Sequence, residues 1–228
     1  MKTKYLIPAI LIGAFQLTSC TQSDANSLSN DAMEVNIDEL AAVPVFTTDS
    51  NGLVQSEMDG LLLMREEEKM AQDVYDSFYS TYGVINFDRI SNSETRHTAA
   101  ILALINHFGL TDPSLTEPGK FTSTAIQGLY EQLVAAGTSA NTALSTGAFI
   151  EEYDIADLKK LIAETTNTDI IAVYSNLLKG SENHLRAYVR TLKIRGVVYV
   201  PQILSSTDFN AIIAATNTRR GGQGGSCN

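Results

Sequence analysis

Tryptophan is missing from the 228 residues, cysteine occurs twice, histidine three times and proline five times. Proline's scarcity leaves the long periodic segments free to be helices, because no proline falls inside them. Basic residues are outnumbered, 16 Lys and Arg against 26 Asp and Glu, for a formal charge of −10. A chain of that sign is a poor partner for nucleic acid or anionic headgroups, so no nucleic-acid role is expected. What the sequence does hold is apolar side chains. At 44% hydrophobic and 18% charged, the chain can bury one core of about 160 residues.

The ends read differently from the middle. Residues 1–19 have the layout of a lipoprotein signal peptide: Lys2 and Lys4, then an apolar run from Tyr5 to Leu17. The closing Leu17-Thr18-Ser19-Cys20 resembles a bacterial lipobox, which makes Cys20 the expected lipidation site. The implied partner is a membrane, engaged through that lipid. The implied location is the bacterial cell envelope, on the outer membrane or a periplasm-facing one. Only Cys227 then remains, so no intramolecular disulfide can form. Residues 20–55, rich in Ser, Asn, Asp and Thr, read as a flexible tether, and the Gly/Arg segment 216–228 as a flexible tail.

Between them, residues 56–215 carry helical periodicity. Ser56 can cap a first helix that stops at Tyr82-Gly83, and a second spans about Asn86 to Phe108. A long connection follows with a smaller helix, Ser123 to Ala136. The third long helix begins between Ser139 and Ser145 and runs to about Glu164. The fourth can be capped by Thr166 and reaches Ile194. Val197 to Leu204 reads as extended, and a short helix from Ser206 or Thr207 to Ala215 ends the domain. The expected fold is all-α: a four-helix bundle with a helix-containing crossover between helices 2 and 3 and a short C-terminal helix.

Ionisable residues interrupt the apolar stripes at mid-helix. The first stripe reads Leu63, Glu67, Met70, Val74, Phe78, and the second Ile90, Glu94, His97, Ile101, Leu104, Phe108. The third reads Ala148, Glu151, Ile155, Leu158, Ile162, with Asp154 beside it, and the fourth includes Leu177, Ser181, His184 and Tyr188. Glu94 and His97 lie three residues apart, about 60° around one helix, so both can reach one metal ion from a single rigid element. Burying a carboxylate costs several kcal/mol unless it is paired or ligates a metal. A shared metal site explains three such glutamates together. The alternative is a buried polar network with Arg96 or Arg186 neutralising the charge. Because another glutamate follows each, a one-position shift of helix phase puts Glu68 in place of Glu67, and Glu152 in place of Glu151.

The set Glu67, Glu94-x-x-His97, Glu151 and His184 resembles the ferritin-like di-iron carboxylate proteins. More narrowly, Arg65-Glu66-Glu67-Glu68-Lys69-Met70-Ala71, Ser93-Glu94-Thr95-Arg96-His97, Ile150-Glu151-Glu152-Tyr153-Asp154-Ile155 and Asn183-His184-Leu185-Arg186 look like an uncharacterised bacterial and archaeal ferritin-like family. That resemblance implies the bundle and a dinuclear site of two iron or manganese ions, with metal ligands Glu67, Glu94, His97, Glu151 and His184; Ser181, three before His184, departs from the second Glu-x-x-His of the pattern, and Asp154 is the candidate sixth metal ligand in its place. It leaves the reaction open, since the family has no assigned activity. Oxidation of ferrous iron, or reduction of peroxide or oxygen, is one expected chemistry. A non-catalytic metal-binding or partner-binding envelope module is the other. The oligomeric state stays open, a homodimer included.

Overall fold

The computed structural model describes Phe46 and residues 52–215. The signal peptide, Cys20, most of the tether, the tail and Cys227 lie outside the described residues. Six α-helices follow one another: α1 Gln55–Tyr82, α2 Ile85–His107, α3 Thr124–Ala136, α4 Ala140–Glu164, α5 Thr168–Ile194 and α6 Ser206–Ala214. Among the described residues there is no strand.

Local chemistry sets these ends. Helix α1 starts at Gln55, one residue before the expected cap, with the Val54 N–H donating to the Glu57 carboxylate at 3.0 Å. It stops at Gly83, whose φ of 63° is the left-handed conformation that ends a helix. Helix α5 is capped by Asn167, not Thr166: the Asn167 side chain accepts from the N–H groups of Asp169 and Ile170 at 3.0 and 3.2 Å. Asparagine is the stronger cap, and it sits at the position where its oxygen reaches both amides. Ser123, Ser139 and Ser205 cap α3, α4 and α6 in the same way. Residues 197–204 are irregular, not a strand.

The four long helices share one interior. Helix α1 packs on α2 and α4, and α5 packs on α4 and α2. Specific contacts give their directions. Asp76 meets Ser91 while Arg65 bonds the Thr98 carbonyl, so α1 and α2 are antiparallel. Phe78 lies against Gly137, before the start of α4, and Gly60 against Leu161 near its end, so α1 and α4 are antiparallel too. At the start of α2, Asn86 bonds Ala187 and Thr191 near the end of α5.

Two buried carboxylates pin the connecting segments. Glu66 accepts from the N–H groups of Thr122 and Ser123, at 2.5 and 3.0 Å, at the start of α3. Glu152 accepts from Gln202, Ile203 and Leu204 at 3.1, 3.0 and 2.8 Å, and from the Tyr199 hydroxyl at 2.5 Å. Each is buried and holds a loop by backbone amides.

Candidate metal centre

Mid-helix, the apolar interior gives way to acids. From Glu66 to Ala71 every residue of α1 is buried, because the helix is covered on three sides by α2, α3 and α4. On that stretch Glu68, not Glu67, turns toward His97: Glu68 Oε2 lies 3.2 Å from His97 Nδ1. The physical reason is rotation. The stripe that faces the interior is Leu61, Met64, Glu68, Ala71, Tyr75 and Phe78, all buried, whereas Leu63 is only partly buried. The expected stripe is buried too at Glu67, Met70, Val74 and Phe78, and the glutamate that meets His97 is one residue, about 100°, further on.

Glu94 and His97 do share one face of α2, with His97 Nδ1 2.7 Å from Glu94 Oε2. The other Glu94 oxygen, Oε1, lies 2.9 Å from His184 Nδ1 on α5. His184 Nδ1 is also 3.4 Å from Glu151 Oε2 on α4. The two imidazoles stack with centroids 5.5 Å apart. Glu94 thus divides its carboxylate between them. Two triads result, Glu68–Glu94–His97 and Glu94–Glu151–His184, each with its donor atoms within 4.8 Å of one another and every member buried. Around one ion, donors at bond lengths of about 2.0–2.3 Å lie no more than about 4.6 Å apart, so these separations are close to those of a coordination sphere.

Hydrogen bonding accounts for only part of this cluster: His97 Nδ1 bonds Glu68 Oε2 at 3.2 Å. His184 Nδ1 makes no aligned hydrogen bond despite its two oxygen neighbours, and Glu68 Oε1 has no partner at all. Buried donor atoms that are close together yet left without aligned partners are compatible with a metal site. The donor set of carboxylates and imidazoles fits iron or manganese.

Electrostatics agrees. Burial pushes the Glu68 carboxyl up to about 7 although His97 pulls it down. Burial also acts to raise Glu94, but the two imidazoles outweigh it and hold Glu94 below the usual carboxylate range. Burial acts to lower both histidines; the glutamates reverse this, taking His184 up to about 9 and His97 well above its ordinary value. Burial, joined by repulsion from Glu94, raises Glu151 despite the His184 imidazole and the Tyr75 hydroxyl, which donates to Glu151 Oε1 at 2.5 Å.

Asp154 does not join either triad. Ser181 donates to its Oδ2, and Oδ1 is left without a partner. An aspartate is one methylene shorter than a glutamate, and Ser181 holds it at the α4–α5 seam. Glu67 is 2% exposed, and neither of its oxygens has a partner. Arg186 bonds the Ile212 carbonyl and Asn183, at the junction with α6. His107 packs against Phe46 and Phe108.

Two contributors were not legible from residue type. Tyr75 lies seven residues after Glu68, two helical turns along the same face, which was the available signal for its bond to Glu151. Gly180 lets the α5 backbone approach the His97 ring: a Cβ there would sit 2.5 Å from Nε2.

Comparison with known proteins gives a family without an activity. The uncharacterized protein MJ0754 of Methanocaldococcus jannaschii is 41% identical over 167 residues, covering 72% of this chain and 90% of that one. The crystal structure of hypothetical protein MJ0754 superposes with a TM-score of 0.73 at 39% identity, covering 76% of this chain and 99% of that one. This relative belongs to an archaeon, which has no outer membrane, and that overturns the expected lipid-anchored location in a bacterial envelope. Residues 57–216 match the model of the uncharacterized protein domain DUF2202, and the chain belongs to that family.

Proposed function

We propose that the chain is a ferritin-like four-helix bundle holding two iron or manganese ions, one in each triad, with Glu94 shared between them. The observation that carries the reading is Glu94 itself, whose oxygens lie 2.7 and 2.9 Å from imidazoles on two different helices. Helix direction supports it as well. With α1 antiparallel to both α2 and α4, the 108–139 connection has to travel the length of the bundle, as a ferritin-like crossover does.

A pair of such ions supplies redox chemistry suited to oxidising ferrous iron or reducing peroxide or oxygen. The chain's own residues set the conditions. Glu68 and Glu151 each serve one triad, and Glu94 serves both. Tyr75 fixes Glu151 by its hydroxyl, leaving Oε2 toward His184. Met64 and Tyr188, one turn away, and Leu177, two turns away, are fully buried and keep bulk water out. In that dry setting the imidazolium and carboxylate charges are strongly coupled, and cations replace the protons that the histidines and Glu68 otherwise hold.

Elemental analysis of the full chain purified without chelator tests this. Two tightly held iron or manganese ions per chain are expected, and Glu94→Gln should lose both. A metal-free wild type, or a Glu94→Gln variant with unchanged metal, overturns the dinuclear reading. Turnover of ferrous iron or peroxide separates an oxidoreductase from a storage or stability role.

A further inference from the structure

The overall charge of −10 hides a local reversal. From Asn183 to Thr207 there is no Asp or Glu, while Arg186, Arg190, Lys193 and Arg195 all fall in that stretch. Arg190, Lys193 and Arg195 are exposed, and none of them is ion-paired with an acid among the described residues. Beside these bases, aliphatic side chains stand in water: Val198 is 86% exposed, Val200 68% and Ile194 51%. Arg190, Lys193 and Ile194 share one face of α5 by their spacing of three and four. Val198 and Val200 follow directly after the helix, so chain continuity keeps the group together.

Their exposure is built into the fold. The Tyr199 ring is buried against Phe209, centroids 6.0 Å apart, and its hydroxyl donates to Glu152 at 2.5 Å. With Tyr199 turned inward, the alternation of an extended backbone turns Val198 and Val200 outward. Glu152 also holds the N–H groups of Gln202, Ile203 and Leu204, so the segment is anchored just beyond them. The helix dipole accounts for bases in the last turn of α5, but not for the aliphatic side chains beside them. An apolar group rimmed by charge of one sign marks a docking surface. Strand addition is a poor use of it, because Pro201 has no N–H and Glu152 takes the next three amides.

We infer that this end of the bundle docks on an anionic lipid bilayer. Ile194, Val198 and Val200 enter the boundary between headgroups and acyl chains, and Arg190, Lys193 and Arg195 meet the lipid phosphates. No helix among the described residues is long and apolar enough to cross a membrane, so the contact is at the surface. Anionic headgroups repel the acidic remainder of the chain, which turns this end toward the bilayer. Binding of this kind is reversible, weakens as salt rises, and does not depend on the metal centre.

The chain lacks tryptophan, so Val198→Trp places a single reporter in the patch of the full chain. Its emission should shift to the blue on adding vesicles of phosphatidylcholine mixed with phosphatidylglycerol, and should be quenched by lipids brominated along their acyl chains. Vesicles of phosphatidylcholine alone should change it little. Adding Arg190→Glu and Lys193→Glu should weaken the response about 10- to 100-fold, and circular dichroism checks that the variant is folded. Val54→Trp is the comparison. Asn86, just after the end of α1, bonds Thr191 beside the patch. Val54, 57% exposed, lies at the other end of the 28-residue α1, about 40 Å away, and should stay unquenched. An unshifted Val198→Trp, a shift that survives the two charge reversals, or quenching as strong at Val54→Trp overturns the inference. So does a dimer in sedimentation that Val198→Asp dissociates, since the face then belongs to a second copy.

Discussion

Replacing Gly180 by alanine sets two opposing effects against each other at one site. The added methyl would meet His97 Nε2 at 2.5 Å and Cε1 at 2.7 Å. Ordinary carbon contacts lie at about 3.5–4.0 Å, so the ring must retreat by about 1 Å. On its other side Nδ1 is confined, 2.7 Å from Glu94 and 3.2 Å from Glu68. Helix propensity favours the substitution by about 1 kcal/mol, while overpacking opposes it by about 1–3 kcal/mol. The clash involves an enclosed ring, not the tip of a flexible chain, so overpacking wins. The metal-free protein should lose about 1 kcal/mol net, or about 2–4 °C in Tm. Metal binding should suffer more, by about 10- to 100-fold, because the displaced atom belongs to a triad. Gly128→Ala on α3 is the control. Its methyl would meet nothing within 4 Å, so propensity acts alone and Tm should rise. Calorimetric melts with and without Mn²⁺, alongside a binding titration, read both effects. If Gly180→Ala melts higher, as the control does, with unchanged Mn²⁺ affinity, the close seating of His97 on α5 is refuted.

Metal uptake should release protons, since His184 is held up near 9, His97 is raised and Glu68 sits near 7. Affinity should therefore climb as pH rises from about 6 to 9, and calorimetry in two buffers of different ionisation enthalpy counts the protons. The same shifts bear on the metal-free protein: raised folded-state pKa values stabilise it at low pH, and that contribution fades as pH climbs through 7 and on through 9. Its Tm should fall over that window, measurably less so with metal bound. Tyr75→Phe removes the donor to Glu151 and should cost about 1–3 kcal/mol in chemical denaturation while weakening one of the two tightly held ions. Glu152→Gln turns an amide NH₂ toward N–H groups that now face carboxylate. A loss of about 3 kcal/mol is expected, with limited proteolysis cutting first in residues 197–214.

Helix ends were legible in the sequence because they depend on neighbours: Gly83, Ser123 and Ser139 act within a turn of where they stand. The relation of Glu94 to His97 was legible for the same reason, being set by 3.6 residues per turn on one helix. So was the placing of Glu151 and His184 on inward stripes, where their apolar neighbours betray the face. Glu66, Glu67 and Glu68 were a harder case. Consecutive residues step about 100°, so three in a row sweep most of the circumference. With α1 covered on three sides, polarity no longer marks one face as outside. Tertiary contacts alone sent Glu66 to the start of α3 and Glu68 to His97.

Composition and period by themselves determined that the chain is helical, where its helices break, and that acids and imidazoles interrupt its interior. Those are properties of single helices, carried by spacing. Only the packing decided that Glu94 serves two histidines on different helices, that Ser181 keeps Asp154 out of both triads, and that Gly180 seats His97. Each of these joins residues far apart in the chain, and their distances depend on how the helices are set against one another.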